Sequence, residues 1–548
     1  MEKRGEGRAA VFLCQKMLGF LDMTSSSRKQ LHERLWSAAV QLRANSGLKL
    51  NEISEPILGL IFLKFADVRF KRAEAEMGAE RGKNTGGRQA PLTPDHYKSK
   101  GVLFLPEVAT YSYLMSLPES ENIGKAVNEA MKEIEARNTD LAGVLPQDFT
   151  SLHKIPGENS KILITLLKNF NQIPDDIEGD AFGEIYEYFL GEFARAEGAK
   201  GGEFFTPQSI VKLLVEIIEP YHGKIFDPAC GSGGMFVQSA NFVKSHSEKK
   251  SQVMNEVALY GQEKGTSNIR TAKMNLAIHG LSGKIAEVNS FYTDAFNSVG
   301  AFDFVLANPP FNVKGKDKNK QIVIDPAKIK GDPRYYLGLP ITGKGEISNA
   351  NYLWMQMFAS ALNPKGRAGF VMANSASDAG NAEKEIRKKM IDAGMVDVIV
   401  SVGTNMFMNA TLSCTLWFFD KRKANTGRKN KVLFINAQDI FTPIDRAHSE
   451  WTDGQIQEIA GIVRRYREEK GEETYSDIKG RCKAATLQEI RTNDCSLNPG
   501  RYVEIVEKEM STVDFDARMK ELMGEFTALT SEAHKLEAKI QEDWKKIL

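Results

Sequence analysis

The sequence lacks the features that mark several large protein classes. It contains no run of about eighteen apolar residues and no signal-peptide pattern in residues 1–20, which predicts a soluble, cytoplasmic protein. Its five cysteines include no Cys-x-x-Cys pair, so neither a disulfide framework nor a zinc site is indicated and no metal is expected. It also has no Gly-x-x-x-x-Gly-Lys-Ser/Thr phosphate loop, which argues against an encoded ATPase motor.

The net positive charge is also small for a protein that would bind nucleic acid without a partner. The 548 residues carry 72 lysines and arginines against 71 aspartates and glutamates, a formal charge of +1. Phosphate neutralisation by basic side chains supplies much of the affinity of DNA-binding proteins. Neither a zinc finger nor a basic helical array is evident in the sequence. High affinity for DNA is therefore expected to need a partner protein.

What the sequence does contain divides into segments of different pattern. Apolar residues recur at helical spacing from residue 28 to about residue 77, and helix-like segments continue to about residue 175. Short β-rich runs then alternate with helix-length segments up to about residue 442, as in a doubly wound α/β domain. Met23 could be a second translation start, which would make residues 1–22 an upstream extension. The predicted order is an upstream extension (1–22), a helical N-terminal domain (23–175), a Rossmann-like α/β domain (176–442), a helical region (443–510) and a coiled-coil-like helix (511–548).

Six short apolar runs predict the strands of the α/β domain. The last two of these runs are close enough in the chain to pair as a hairpin at the edge of the sheet. The fold class is therefore α/β, with a doubly wound sheet between a helical N-terminal domain and a helical tail. The predicted strands are 224–227, 258–263, 302–307, 367–373, 396–402 and 413–419.

The last segment of the chain has a heptad period. Its apolar positions are spaced alternately by four and three residues, which is typical of a coiled-coil seam. A helix from Phe515 to Leu548 would be about 50 Å long, and alone in water it would expose a long apolar stripe. Either another subunit or this chain's own α/β domain is expected to cover the stripe. The seam positions are Phe515, Met519, Leu522, Phe526, Leu529, Ala533, Leu536 and Ile540.

A glycine-rich turn directly follows the first predicted strand. It runs from Asp227 to Gly234 with the sequence DPACGSGG. Glycines accept unusual dihedral angles and let backbone N–H groups approach a nucleotide-like ligand. The spacing differs from the Gly-x-Gly-x-x-Gly of dinucleotide sites, and the preceding acidic residue could face an amino or ammonium group, which favours S-adenosylmethionine over NAD. Glu263, which ends the next strand, could accept hydrogen bonds from both ribose hydroxyls, although an isolated glutamate there would be a solvated strand end.

The motif Asn308-Pro309-Pro310-Phe311 follows the strand predicted at 302–307. As structure alone it is a proline-stiffened turn that ends a strand. Its chemistry explains more of the residues, because an exocyclic amine conjugated to a purine is a poor nucleophile. The Asn308 side-chain oxygen and the Pro309 carbonyl could accept its two N–H groups and aim the nitrogen lone pair at a methyl donor. Phe311 offers a face on which an extruded base can stack.

These motifs resemble those of a known enzyme family. Asn-Pro-Pro-Phe after a glycine-rich cofactor loop resembles the γ-type amino-methyltransferases that act on adenine N6. The stretch from Gly202 to Gln208, GEFFTPQ, looks like the Gly-Glu-Phe-x-Thr-Pro element of the methylase subunits of type I restriction-modification systems. Segments 183–188 and 497–502 match that family as well. The resemblance spans about residues 31–503, with the motifs in the family's order.

The resemblance implies an adenine-N6 DNA methyltransferase with a class I S-adenosylmethionine-dependent fold. It implies that Asp227 helps to hold the cofactor and that Asn289 lies in the turn beside the cofactor's adenine ring. It assigns catalysis to the Asn308–Phe311 loop. The further residues that it places against S-adenosylmethionine are Glu203, Phe204, Phe205, Thr206, Pro207, Gln208, Ser232, Gly233, Gly234 and Glu263.

The resemblance also implies partners. They are double-stranded DNA, a specificity subunit that reads the sequence, a second copy of the modification subunit, and a restriction subunit with a translocating ATPase. This division of labour agrees with the near-neutral charge and the missing phosphate loop. The heptad seam would then dock on helices of the specificity subunit. The lysine- and glycine-rich segment 313–345 is expected to be either a mobile cover over the extruded base or an ordinary solvated loop.

Three other interpretations remain open at this stage. A stand-alone adenine methyltransferase would need its own target-recognition domain, whereas the sequence after the α/β domain is mostly helical in pattern. Methylation of glutamine amides in proteins also uses Asn-Pro-Pro loops, but it leaves the N-terminal helices and the tail unexplained. A catalytically silent assembly or DNA-binding module would not need the intact Asn308–Phe311 motif.

Overall fold

The computed structural model describes residues 25–46, 50–82, 91–118, 120–150, 159–174, 181–197, 206–246, 256–407, 413–446, 448–504 and 512–547. The predicted extension over 1–22 lies outside these ranges. Within them, no helix is both long and apolar enough to span a bilayer. The chain separates into two compact units, Met1–Val503 and Glu504–Leu548, which are described separately.

The first part of the larger unit is helical. Its helices are α1 (Ser25–Ser46), α2 (Leu50–Gly82), α3 (Pro94–Ser99), α4 (Tyr111–Ser116), α5 (Ile123–Arg137), α6 (Asn159–Asn171) and α7 (Ala181–Glu197). Apolar side chains at helical spacing, such as Ile57 and Ile61 in α2 and Ile185 and Phe189 in α7, share one buried cluster. Helix α7 therefore packs with the helical part, although it follows the expected boundary at residue 175.

A mixed sheet forms the centre of the rest of this unit. Its strands are β1 (Gly223–Asp227), β2 (Val257–Glu263), β3 (Gly283–Glu287), β4 (Phe302–Ala307), β5 (Leu362–Ala373), β6 (Val396–Val402), β7 (Cys414–Asp420), β8 (Lys431–Ala437) and β11 (Cys482–Thr486). A separate pair, β9 (Thr442–Pro443) and β10 (Ser449–Glu450), lies outside it. Among the described residues the order of the sheet is β11-β8-β6-β7-β5-β4-β1-β2-β3.

The direction of the strands separates the sheet into two halves. Strands β3, β2, β1, β4 and β5 run parallel to one another. Strand β7 is antiparallel to both β5 and β6, β8 is parallel to β6, and β11 is antiparallel to β8. The α/β class expected from the sequence is confirmed, and its parallel half carries the glycine turn and the Asn308 loop.

The structure corrects the predicted position of the hairpin. Strands β6 and β7 do pair antiparallel, but they lie inside the sheet, because β8 and β11 extend it beyond β6. Every residue of β6 and β7 is buried, which an edge strand would not allow. The sequence reasoning missed β3, β8 and β11. Strand β11 lies in the region 443–510 that was expected to be helical, and its short, half-polar sequence CKAAT carries little strand signal.

Helices cover both faces of the sheet. They are α8 (Gln208–Ile218), α9 (Gly234–His246), α10 (Thr266–Ile278), α11 (Pro326–Ile329), α12 (Asn351–Ala361), α13 (Asn381–Asp392), α14 (Asp453–Tyr466) and α15 (Leu487–Thr492). Successive side chains of a strand point to opposite faces. Val398 and Val400 of β6 therefore join the core of α8, α9 and α14, whereas Ile399 joins the core of α12 and α13. This is the doubly wound arrangement.

The smaller unit contains one long helix, α16 (Thr512–Ile547). Within the range whose side chains are described, its seam residues are exposed, including Phe526 at 71% and Leu529 at 65%. The predicted helix and its heptad positions are thus present, and the apolar stripe is exposed.

Candidate active site

The sheet brings the three predicted elements of the site to one edge. Strands β1, β2 and β4 are parallel neighbours, with Asp227 opposite Gly261 and Phe226 opposite Val305. The glycine turn follows β1, Glu263 ends β2, and the Asn308 loop follows β4. Ligands of open α/β sheets bind at this carboxyl edge of the parallel strands.

The glycine turn has a backbone that requires glycine. Gly231 has φ of 51° and Gly233 has φ of 79°, in the left-handed region that other residues rarely adopt. A β-carbon on Gly233 would contact Ala272 of α10 at 3.5 Å, whereas one on Gly231 or Gly234 would meet no atom of the described residues within 4 Å. The turn thus packs against a helix on one side, and on the other side it contacts none of the described residues.

Glu263 ties the ends of two loops together. Its carboxylate accepts the N–H of Gly231 at 3.1 Å, of Lys264 at 2.9 Å and of Gly265 at 2.8 Å. The side chain is half-buried at the end of β2. The predicted ribose acceptor therefore also has a structural task, because it sets the distance between the glycine turn and the β2 loop.

Asp227 is a buried carboxyl group at the end of β1. It is 1% exposed, and its Oδ1 accepts the N–H of Ala229 at 2.9 Å. Burial raises the pKa of Asp227 to about 8, the Ala229 N–H opposes this rise, and the nearby Glu263 carboxylate adds to it. The folded chain therefore holds this carboxyl in its neutral form near neutral pH unless a cation or donor approaches it.

The Asn308 side chain is oriented by a residue from a distant motif. Its Nδ2 donates to Thr206 Oγ1 at 2.7 Å, across 102 positions of the chain. Thr206 directly precedes Pro207, which caps α8. The contact joins the threonine of the GEFFTPQ stretch to the asparagine of the Asn-Pro-Pro-Phe motif, and the amide oxygen is then the acceptor end of Asn308.

Amide side chains also fix the turn that follows Phe311. Asn312 has φ of 55°, and its N–H donates to Asn351 Oδ1 at 3.0 Å. Its own Oδ1 accepts from Asn349 Nδ2 at 2.9 Å and Asn351 Nδ2 at 3.0 Å. Asn351 is 1% exposed in the first turn of α12. The half-buried ring of Phe311 is therefore attached to a rigid turn.

Asn289 lies in the turn after β3. It is half-buried, and its Oδ1 accepts the N–H of Phe291 at 3.1 Å. The turn is tied to the glycine loop by a chain of hydrogen bonds: Gln262 Nε2 donates to Ser290 Oγ at 2.9 Å, and Ser290 Oγ donates to the Pro228 carbonyl at 2.6 Å. The structure thus brings Asn289 close to the β1 turn.

Arg334 holds the same turn from the other side, and the sequence reasoning missed it. It is 2% exposed, pairs with Asp332 at 2.6 Å and donates to the Ser290 carbonyl at 2.7 Å. Next to it, the Tyr335 hydroxyl donates to the Phe291 carbonyl at 2.9 Å. A lone arginine in a glycine- and lysine-rich stretch gives no periodic signal, so only the three-dimensional contacts identify it.

These contacts correct one expectation for segment 313–345. An ordinary solvated loop would expose its side chains, but Ile324 and Ile329 are each 1% exposed and Arg334 is buried as well. The segment is therefore packed in part: Ile324, Ile329 and Arg334 are buried, and Arg334 connects the segment to the Asn289 turn, whereas residues 316–323 and 341–345 are exposed.

The predicted cofactor residues fall into three groups. Ser232, Gly233, Gly234, Asp227, Glu263 and Asn289 surround the β1, β2 and β3 ends, and Thr206 reaches Asn308. Gln208 is exposed, and its amide donates to Glu187 of α7 at 2.8 Å. The remaining members of the GEFFTPQ stretch, Glu203, Phe204 and Phe205, lie outside the described residues.

Comparison with known proteins identifies relatives over nearly the whole chain. The family N-6 DNA Methylase matches residues 177–511, and the HsdM N-terminal domain matches residues 31–170. The type I restriction enzyme MjaIX methylase subunit of Methanocaldococcus jannaschii is 36% identical over 94% of this chain and 90% of its own length. The HindI methylase subunit of Haemophilus influenzae is 35% identical over 80% of this chain and 96% of its own.

Solved structures share the architecture. A type I restriction-modification methyltransferase subunit from Streptococcus thermophilus superposes with a TM-score of 0.69 at 22% identity, covering 87% of this chain and 100% of that chain. A modification subunit of a putative type I restriction enzyme from Vibrio vulnificus gives a TM-score of 0.55 at 19% identity, over 86% of this chain and 94% of the other. At these identities the likeness shows the fold alone.

A doubly wound sheet with a glycine turn after β1 and an Asn-Pro-Pro-Phe loop after β4 is the architecture of an amino-methyltransferase. The sequence relatives narrow this class. The chain belongs to the N-6 DNA methylase family, among the methylase subunits of type I restriction enzymes, and is an adenine-specific DNA methyltransferase. The family expected from the motifs is confirmed, while the roles of individual site residues stay predictions.

Proposed function

We propose that this chain transfers the methyl group of S-adenosylmethionine to N6 of an adenine extruded from double-stranded DNA, and that a separate specificity subunit supplies the target sequence. The observation that carries the reaction is the 2.7 Å hydrogen bond from Asn308 Nδ2 to Thr206 Oγ1. Because the Nδ2 end is committed to the threonine, the Oδ1 end is the acceptor for an amine of the substrate. The family membership supports the choice of adenine N6.

The proposed chemistry uses hydrogen-bond acceptors on a rigid loop. The lone pair of an exocyclic amine is delocalised into the purine ring. Asn308 Oδ1 and the Pro309 carbonyl would accept the two N–H groups, draw the nitrogen towards sp³ geometry and aim its lone pair at the methyl donor. Neither proline of the loop offers a competing N–H donor. Phe311 would stack on the extruded base and offset about 1–3 kcal/mol of the unstacking cost.

The residues at the β1 turn fit S-adenosylmethionine, which when bound supplies an electrophilic methyl group on a positively charged sulfur. Among the described residues no atom crowds Gly231 or Gly234, which leaves room for a ligand against the backbone. Asp227 offers a buried carboxyl whose raised pKa would fall again beside an amino group or cation of the ligand. Glu263 would accept hydrogen bonds from the ribose and Asn289 would lie beside the adenine ring, and the remaining predicted residues of the turn and of the GEFFTPQ stretch would complete the pocket.

Asp227→Asn is expected to stabilise the cofactor-free chain in a pH-dependent way. The folded chain holds this carboxyl at a pKa of about 8, whereas the unfolded chain ionises it near 3.8. Its contribution to stability is fully present below about pH 4 and is lost as the pH rises to about 8. Asparagine keeps the Oδ1 acceptor for Ala229 without ionising. The gain in melting temperature over wild type should therefore be larger at about pH 8 than at about pH 5.

The same variant separates function from stability. Calorimetric titration should show weaker binding of S-adenosylmethionine to Asp227→Asn even though the protein melts higher. Equal gains in melting temperature at the two pH values would contradict the buried, raised-pKa carboxyl. Undiminished cofactor affinity would contradict its proposed role in binding.

The exposed seam of α16 supports a subunit interface. Seam residues Leu522, Phe526, Leu529 and Leu536 are each more than two-fifths exposed. Knobs-into-holes packing with helices of another chain would remove this stripe from water, at about 25 cal/mol for each Å² of apolar surface. We assign the specificity subunit as the partner, and a second methylase subunit and the restriction subunit as further members of the complex.

Truncation at residue 510 is expected to abolish co-purification with the specificity subunit and to leave cofactor binding intact. Leu529→Glu should give the same loss within the full chain, because it places a charge in the seam. Ala528→Glu is the matched control, since it makes a similar change on the neighbouring outward position of the same helix. Pull-down from co-expressed subunits measures the outcome. Assembly retained by the truncated chain would refute the assignment.

Methylation of a DNA library by purified subunits tests the proposed function. The chain is incubated with radiolabelled S-adenosylmethionine, with and without the specificity subunit, and modified positions are read by long-read sequencing. The expected result is N6-methyladenine at one defined sequence only when both subunits are present. Methylation at a defined site by the chain alone would favour a stand-alone enzyme, and the absence of N6-methyladenine from both reactions would reject the proposal.

A further inference from the structure

A short hairpin of lysines projects next to the Asn308 loop. Residues 314–323, the lysine hairpin, begin three positions after Phe311. Their backbone doubles back on itself: Lys316 and Ile322 form an antiparallel bridge, and the N–H of Asp317 donates to the Gln321 carbonyl at 3.0 Å. Lys320, near the tip, has φ of 62°. The hairpin is a defined structure.

Positive charge is concentrated there. Segment 314–330 contains six lysines and two aspartates, whereas the whole chain has a formal charge of only +1. Lys314, Lys318 and Lys320 are exposed and have no ion-pair partner within the described parts of the chain, whereas Lys316 pairs with Glu346 at 2.7 Å. The hairpin therefore presents three uncompensated ammonium groups to solvent.

The base of the hairpin is fixed to the site. The N–H of Gly315 donates to the Ile347 carbonyl at 3.0 Å, and the N–H of Val323 donates to the Gly315 carbonyl at 2.8 Å. The approach is close enough that a β-carbon on Gly315 would lie 2.9 Å from the Ile347 backbone. Ile324, which follows the hairpin, is 1% exposed. Because the lysine hairpin is anchored, the backbone that carries its lysines is already fixed, and less conformational entropy is lost on binding.

We propose that the lysine hairpin binds the sugar–phosphate backbone of the DNA strand beside the extruded adenine. The inference rests on the proposed function and extends it to a named binding surface. Three exposed ammonium groups complement a phosphate chain, and their position directly after Phe311 places them where the strand must pass when its base enters the site. Phosphate contacts set register without reading sequence, as suits a subunit whose target is chosen elsewhere.

The salt dependence of DNA binding tests the proposal. The full chain, assembled with its specificity subunit, is titrated onto a fluorescein-labelled duplex at salt concentrations from about 50 to about 200 mM. In the triple variant Lys314→Gln/Lys318→Gln/Lys320→Gln, affinity should fall about tenfold, and the slope of log K against log salt should flatten by about 0.9 for each lost phosphate contact. The affinity for S-adenosylmethionine, measured by calorimetry, should stay at the wild-type value.

A matched control removes the same charge from the opposite edge of the sheet. Lys365, Lys429 and Lys431 are exposed near the start of β5 and β8, at the amino edge of the parallel strands. Their triple glutamine variant should keep both the wild-type affinity and the wild-type slope. An equal loss in this control would show a general charge effect and overturn the proposal.

Each remaining outcome has one meaning. An unchanged slope in the hairpin variant, with adenine methylation by wild type intact, rejects the hairpin proposal and leaves the proposed function standing. Loss of subunit assembly in place of DNA affinity would show that the hairpin is a protein contact, and would also reject it. If the triple variant lost cofactor binding, the single variants Lys318→Gln and Lys320→Gln at the tip would carry the test, each with a smaller flattening of the slope.

Discussion

Asn308→Ala should reduce the rate of methyl transfer at least about a hundredfold while leaving the affinity for S-adenosylmethionine within about twofold. Preorganised hydrogen-bonding groups at a reacting centre typically contribute about 10²–10³ in kcat. Alanine removes the acceptor proposed for the adenine amine and leaves the glycine turn after β1 unchanged. Single-turnover rates on a target duplex, with the specificity subunit present, measure the effect. Wild-type methylation by a variant that binds cofactor normally would contradict the mechanism.

Substitutions of Thr206 test the orientation of Asn308 and should have a smaller effect than Asn308→Ala. Thr206→Val keeps the volume of the side chain but removes the acceptor that Asn308 Nδ2 reaches at 2.7 Å. The amide then loses its fixed orientation, so we expect a loss of about tenfold in rate, within the net contribution of about 0.5–1.5 kcal/mol that one hydrogen bond makes. Thr206→Ser restores the hydroxyl and should restore most of the rate. A valine variant as active as wild type would show that the contact does not orient Asn308.

Asp397→Ala should destabilise the larger unit by about 3–5 kcal/mol, the usual cost of removing one partner from a buried ion pair. Asp397 is fully buried in β6 and accepts from Arg428 Nη1 at 2.5 Å and Arg467 Nε at 3.2 Å. Alanine would leave both guanidinium groups short of a counter-charge in the interior. Loss of several degrees in melting temperature and a lower urea midpoint are the expected measurements.

Asp420 pairs with Arg428 in the same buried cluster of ion pairs as Asp397, and the arginines of the cluster shift its pKa. Burial alone would raise the pKa of Asp420, but Arg467, Arg367 and Arg428 outweigh it and hold the pKa below its ordinary value. Arg467 also donates to the Ile217 carbonyl near the end of α8, where a cation complements the helix dipole. The cluster thus joins β6 and β7 to helix α8 at the edge opposite the site, and its role is structural.

A surface pair provides the control for Asp397. Asp392 accepts from Arg491 at 2.8 Å with both side chains more than half exposed. Exposed pairs contribute about 0–1 kcal/mol, so Asp392→Ala should leave the melting temperature nearly unchanged. Similar destabilisation by the two alanine variants would show that burial does not determine the effect. Neither variant is expected to change cofactor affinity per folded molecule.

The comparison of expected and observed strands shows what a sequence can supply. Runs such as 302–307 and 396–402 were predicted because strands buried on both faces are mostly apolar. The order of the strands was not predictable in the same way. Strand β7 enters between β5 and β6, and β11 pairs with β8, through contacts between segments far apart in the chain. The half-polar β11 gains its strand conformation from that pairing, since its own propensity is weak.

The residues of the site also divide into those that the sequence predicted and those that only the fold identified. The glycine turn and the Asn308–Phe311 loop are each local, because the chemistry of a turn depends on consecutive residues. The contact from Asn308 to Thr206 and the contact from Arg334 to the Ser290 carbonyl join separate motifs. No spacing rule relates those positions, so the residues that orient the predicted site were found only in the folded chain.

The sequence by itself determined the family, the methyl-transfer motifs and the heptad period of the tail, because each is written in neighbouring residues. Tertiary structure alone decided that the hairpin of β6 and β7 lies inside the sheet, that Thr206 orients Asn308 and that Arg334 of segment 313–345 packs on the Asn289 turn. Those features come from burial and hydrogen bonds between distant segments. Their energies depend on which surfaces meet after folding, and a linear sequence does not contain that information in local form.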